Sequence, residues 1–182
     1  FNDSIGPLGR SEIYYAEFGN DGDLRWSSYY GGPLHEDVTR QSLTVDACNN
    51  IISAFFTSDR FSDYGIDIGP CHYNDINYNG GIRDAFVVAF DGPTRNRYYA
   101  AYVGGDKIDS YPVLAAGNDG DFYTAIVAGG FTAALTAPRG MPLVNPGRGA
   151  YYEPKPSNRW EASYISKFST PPITAIKAAQ VN

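Results

Sequence analysis

Several residues in this sequence have the chemical types that proteins use for metal binding or catalysis. The most conspicuous are the aspartates of a pentapeptide, GNDGD, which occurs at 19–23 and again at 117–121. Calcium takes six to eight oxygen ligands, and neither copy supplies a third alternating acid or a distal glutamate. An Asn-Asp-Gly centre between aromatic runs is typical of a hairpin turn. We therefore predict two hairpin turns and no metal site, with calcium binding as the alternative.

Cys48 and Cys71 are the only cysteines. A single pair in an otherwise thiol-free chain is typical of a disulfide formed in an oxidising compartment. Closing this loop would stabilise the fold by about 3 kcal/mol. We predict a Cys48–Cys71 disulfide. The alternative is a pair of reduced, buried thiols.

Two catalytic alternatives use other residues. The stretch VDACNNIISAFF resembles the segment of cell-wall cysteine peptidases in which a nucleophilic cysteine opens a helix, which would assign that role to Cys48. The resemblance implies a histidine on a later strand, and RNRYYAAYVGG contains none. Glycoside hydrolysis would need two facing carboxyl groups, for example Glu17 and Glu161. We name no catalytic residue and expect no cofactor.

The sequence contains fifteen tyrosines and ten phenylalanines. The stretches RWSSYY and RNRYYAAY alternate aromatic residues with small or polar ones. Tyrosine and tryptophan combine a rigid apolar ring with a polar tip, which suits them to stacking on sugars and to protein contacts. The alternative is that these rings fill a core. The candidate ligand-binding residues are Trp26, Tyr29, Tyr30, Tyr98 and Tyr99.

The elements that would position these residues are mostly strands. Aromatic and β-branched runs bounded by turn residues predict strands at 13–18, 24–30, 84–90 and 97–103, with others downstream. One segment differs, because its apolar residues recur at helical spacing from Val45 to Phe56. We predict an α+β fold, predominantly antiparallel β, as a sheet or two-layer sandwich with one packed amphipathic helix at about 44–57.

The chain length predicts a single domain over 1–182. The proline-rich stretch 138–156 predicts a loop or arm, and 169–182 predicts an extended C-terminal tail. The net charge is −6, which argues against nucleic acid as a partner. No apolar run approaches the ~20 residues that span a bilayer.

Composition and these candidates together suggest a secreted, extracellular protein. The chain is tyrosine-rich and lysine-poor, and Asn2 begins a glycosylation sequon. We predict a disulfide-stapled, non-enzymatic binding or structural protein that recognises a glycan or a protein through aromatic and Asn/Asp-rich loops. One alternative is a small secreted carbohydrate-acting hydrolase with paired carboxylates. Another is a self-associating subunit of an extracellular or viral assembly.

Overall fold

The computed structural model describes residues 11–32, 34–58, 81–105, 107–117, 121–129 and 162–168. Within these ranges the regular structure is entirely β, and each pair of neighbouring strands is antiparallel. The strands are β1 (Ile13–Phe18), β2 (Leu24–Tyr30), β3 (Glu36–Asp37), β4 (Leu43–Val45), β5 (Ile51–Thr57), β6 (Asp84–Phe90), β7 (Arg97–Val103), β8 (Ile108–Ala116), β9 (Phe122–Gly129) and β10 (Ala162–Phe168).

The strands form three sheets. A central five-stranded sheet has the order β3-β5-β6-β7, with β4 also paired to β5. Strands β1 and β2 form a separate hairpin, and β10-β9-β8 form a three-stranded sheet. The hairpin packs on one face of the central sheet and the three-stranded sheet packs on the other. The described part of the fold therefore has three layers.

Strand β6 explains why two cores exist. Its seven residues, DAFVVAF, are all buried, because successive side chains point to opposite faces and both faces are covered. Phe86, Val88 and Phe90 contact the hairpin layer, in a core with Ile13, Tyr15, Tyr30, Phe55, Ala100 and Tyr102. The alternate residues contact the other layer, in a core formed by Ile52, Ala54, Ala85, Val87, Ala89, Val103, Leu114, Phe122 and Ile126.

The helix predicted at about 44–57 is wrong. That segment contains β4, a turn at 46–50, and β5. Strand β5 lies inside the sheet, so its residues from Ile52 to Thr57 are all buried and show no alternation of apolar and polar positions. A continuous apolar run of this length fits a doubly covered strand as well as a helix, and its isoleucines and phenylalanines favour the strand.

The prediction of a sheet or two-layer sandwich is also wrong, since three layers are present. The predicted strands at 13–18, 24–30, 84–90 and 97–103 are confirmed with these bounds. The proline-rich stretch 138–156 and the tail 169–182 lie outside the described residues.

Candidate functional site

The first GNDGD copy forms the tight turn of the β1–β2 hairpin. The amide of Gly19 donates to the carbonyl of Asp23 at 2.8 Å, and Gly22 adopts a φ of 85°, which glycine reaches at little cost. The Asp21 carboxylate accepts the amide of Asp23 at 3.1 Å and forms an ion pair with Arg25. The carboxylate that calcium would need is therefore engaged within the turn.

The second copy joins β8 and β9, which are antiparallel neighbours. The amide of Gly117 donates to the carbonyl of Asp121 at 2.7 Å, the same closing bond as in the first copy. Both copies therefore join antiparallel neighbours, as predicted for hairpins, although residues 118–120 of the second copy lie outside the described residues.

The outer face of the β1–β2 hairpin carries a pair of exposed tyrosines. Tyr14 and Tyr29 are directly opposite each other in the register, with 54% and 51% of their surface exposed. Their ring centroids lie 5.1 Å apart with an interplanar angle of 50°. At the turn end of the hairpin, Phe18 and Leu24 are also opposite each other and exposed. We call Tyr14, Phe18, Leu24 and Tyr29 the hairpin face.

Of the five predicted ligand-binding aromatics, Tyr29 alone is exposed. Trp26 is half-buried and packs on the first core, with its ring 6.2 Å from that of Tyr15. Tyr30 is fully buried in the same core, and its hydroxyl accepts a hydrogen bond from Arg97 at 3.3 Å. Both residues therefore stabilise the hairpin layer, and Tyr30 has almost no exposed surface to offer a ligand.

Tyr98 and Tyr99 pack against the second core. The Tyr99 ring lies edge-on to the rings of Phe122 and Phe168, each with a centroid distance of 6.1 Å. Burial raises the pKa of the Tyr98 hydroxyl, and the nearby carboxylates of Asp46 and Asp91 raise it further. The structure thus places four of the five predicted residues in or against the cores. It leaves Tyr29 exposed and places a second exposed tyrosine, Tyr14, opposite it.

A cavity of about 460 Å³ lies where the end of β1 meets the β4–β5 and β6–β7 turns. Its wall includes an ion pair between Glu17 and Arg95, in which two guanidinium nitrogens donate to the two carboxylate oxygens at 2.6 Å each. These hydrogen bonds lower the pKa of Glu17. A carboxylate held in its charged form suits the nucleophile or base of glycoside hydrolysis and not the general acid. The second carboxylate of that alternative, Glu161, lies outside the described residues.

Cys48 lines the same cavity and is an exposed, free thiol. Its amide donates to the carboxylate of Asp46 at 2.8 Å in the turn before β5, so the cysteine does not stand at a helix N-terminus. The structure shows no disulfide at Cys48, and its predicted partner Cys71 lies outside the described residues. The glycosylation candidate Asn2 lies outside them as well.

A second cavity, of about 650 Å³ and open to solvent, was missed by the sequence analysis. It is lined by Val38, Thr39, Arg40, Tyr111 and Val113, where the segment before β4 meets β8. Tyr111 is exposed and adopts a φ of 55°, at a point where the β8–β9 register shifts. The sequence carries one signal of unusual backbone at this position, the pair Tyr111-Pro112, because the residue before a proline is restricted in conformation.

In the described ranges, no group of three or more histidine, cysteine, aspartate or glutamate side chains is placed to hold a metal ion. The same ranges contain no helix long and apolar enough to cross a bilayer.

Comparison with known proteins assigns no family to the chain. No protein-family model matches the sequence. A search of curated proteins finds no match either. Functional reasoning therefore rests on the residues and their geometry.

Proposed function

We propose that this protein is a non-enzymatic, extracellular binding or structural protein that contacts its partner through the hairpin face. The exposed Tyr14–Tyr29 pair carries the proposal. Tyrosines at the centre of an interface contribute large apolar area at a low cost in side-chain entropy. The pair lies on a strand framework that is fixed by a buried core beneath it, so the rings are held in position before a partner arrives.

The chemistry of the hairpin face favours a protein partner over a glycan. Phe18 and Leu24 add apolar area without the polar groups that fix the hydroxyls of a sugar. The tilt of 50° between the two tyrosine rings also gives no continuous flat platform for a pyranose. The extracellular setting is supported by composition alone, namely many tyrosines and few lysines.

The test compares wild type with a Tyr14→Thr/Tyr29→Thr variant, because threonine suits strands and removes both rings. Tyr123→Thr is the matched control, since it removes an exposed ring from the opposite outer sheet. Sedimentation velocity from 1 to 200 µM would measure self-association, and a glycan array would measure sugar binding.

We expect wild type to associate with itself in a way that the double variant loses and the control retains. We expect no binding to the array that depends on Tyr14 and Tyr29, because the hairpin face favours a protein partner. Association of wild type with itself would identify a second copy as the protein partner. Equal behaviour of all three proteins in both measurements would contradict the proposal.

A further inference from the structure

We propose that the open cavity between residues 38–40 and β8 is a second binding site, specific for a carboxylate-bearing sugar such as a uronate residue of an acidic glycan. We call this cavity the Tyr111 cleft. It is separate from the hairpin face, because it is built on the β8–β10 sheet on the other side of the central sheet. Its volume of about 650 Å³ falls within the range of ligand sites.

The backbone at Tyr111 is held in an unfavourable conformation. A φ of 55° is rare for a bulky aromatic residue, and a following proline disfavours it further. Gln41, directly after Arg40, has a φ of 58° on the facing segment. Such conformations persist where the surrounding structure enforces them, and they cluster at ligand sites. The Tyr111 side chain is exposed and lines the cavity.

Arg40 lines the same cavity as Tyr111 and brings a positive charge to it. Each of the other arginines in the described part of the chain has a partner: Asp21 for Arg25, Glu17 for Arg95, the Tyr30 hydroxyl for Arg97, and the Phe56 ring for Arg83. Arg40 is exposed, and among the described residues it has no ion pair or hydrogen bond. In a chain of net charge −6, an exposed guanidinium that lines a cavity together with an aromatic side chain is suited to a carboxylate.

The edge of β8 argues against a peptide in the Tyr111 cleft. Peptides that add to a sheet edge need free backbone amides and carbonyls. Here the amide of Leu114 already donates to the carbonyl of Gln41 at 2.9 Å, and the Thr39 hydroxyl donates to the carbonyl of Pro112 at 2.6 Å. Pro112 itself has no amide hydrogen. Recognition in the Tyr111 cleft therefore depends on side chains. A uronate would use two of the side chains that line the cleft, because its ring would stack on Tyr111 and its carboxylate would pair with Arg40.

The experiment is isothermal titration calorimetry of the full chain with tetrasaccharides of galacturonate, glucuronate and mannuronate. The methyl ester of each tetrasaccharide keeps the rings and removes the charge. Tetraglutamate supplies carboxylates without sugar rings. The variants are Arg40→Gln and Tyr111→Asn, because asparagine tolerates a positive φ and lacks the ring. Arg25→Gln is the control for a general loss of positive charge, since Arg25 is exposed on the hairpin layer.

We expect at least one uronate to bind, with its methyl ester at least about tenfold weaker. Arg40→Gln should weaken uronate binding by about tenfold or more, and Tyr111→Asn by about fivefold, while Arg25→Gln stays within twofold of wild type. Absence of uronate binding, or equal binding of the esters, would overturn the proposal. So would an equal loss in Arg25→Gln. Tetraglutamate binding with the same dependence on Arg40 would reassign the site to an acidic peptide.

Discussion

Val87 and Val88 are adjacent in β6 but contact different cores, so replacing each with alanine tests the three-layer arrangement directly. Both side chains are fully buried. The Val→Ala change removes two methyl groups, each contributing about 0.8 kcal/mol through burial. The cavity left behind adds to that loss. We therefore expect each substitution to lower the free energy of unfolding by about 2 kcal/mol.

The assay is urea denaturation followed by tryptophan fluorescence, with far-UV circular dichroism as a second probe. The midpoint should fall and the slope m should stay constant, because the exposed area on unfolding changes little. The melting temperature should fall by about 4–8 °C for a chain of this size. Independent contributions from the two cores would add to a loss of about 4 kcal/mol in the double variant, and a departure from that sum measures coupling through the backbone the two residues share.

The control is Val45→Ala, since Val45 is exposed at the end of β4. That variant should stay within about 0.5 kcal/mol of wild type. In a two-layer sandwich one of the two β6 valines would face solvent and would behave like the control. A loss below about 0.5 kcal/mol for either Val87→Ala or Val88→Ala would therefore refute the three-layer arrangement.

Three further predictions concern the cavity near Cys48. Because hydrogen bonds from Arg95 lower the pKa of Glu17, its charged form stabilises the fold above its unfolded pKa of about 4.3, and that stability is lost as the pH falls through the lowered folded pKa. Glu17→Gln should therefore flatten the fall in melting temperature on acidification from pH 5 to pH 3, and an unchanged slope would contradict this. Asp46→Ala should lower the free energy of unfolding by about 2–3 kcal/mol in urea, because the Asp46 carboxylate accepts the amides of Cys48 and Asn50 and the Asn50 side chain, each at 2.8 Å; a loss below about 0.5 kcal/mol would count against that role. Since Cys48 is an exposed free thiol, iodoacetamide should label it in the folded protein without reductant, and protection seen by mass spectrometry would restore the disulfide prediction.

The sequence predicted strand positions well where turn residues bound an aromatic or β-branched run. IYYAEF and LRWSSYY were found as β1 and β2 with their predicted bounds, because the GNDGD turn between them leaves little freedom. Strand β5 was missed for the opposite reason. Its neighbours β3 and β4 precede it directly, but β6 and the two layers that cover its faces come from distant parts of the chain. The unbroken apolar run is stable as a strand because those distant elements bury both of its faces.

The candidate site was predictable only in part, because exposure depends on which face of a strand another layer covers. Tyr29 and Tyr30 are neighbours of the same type, yet one is exposed and the other is fully buried. The sequence LRWSSYY does not determine whether Tyr29 or Tyr30 points toward the central sheet. The Tyr111 cleft was not predictable either, because it depends on residues 38–40 lying against β8.

The central sheet also constrains how this protein can evolve. Side chains in the first core and side chains in the second core are separated by one layer of backbone, so a change of volume in one core acts first on the side chains of that same core. Compensating substitutions should therefore arise within a core and not between cores. In related chains, residues such as Tyr15 and Phe90 should covary with each other, as should Leu114 and Ile126, while the two pairs drift independently. The two cores should therefore accumulate substitutions separately, although β5, β6 and β7 contribute side chains to both.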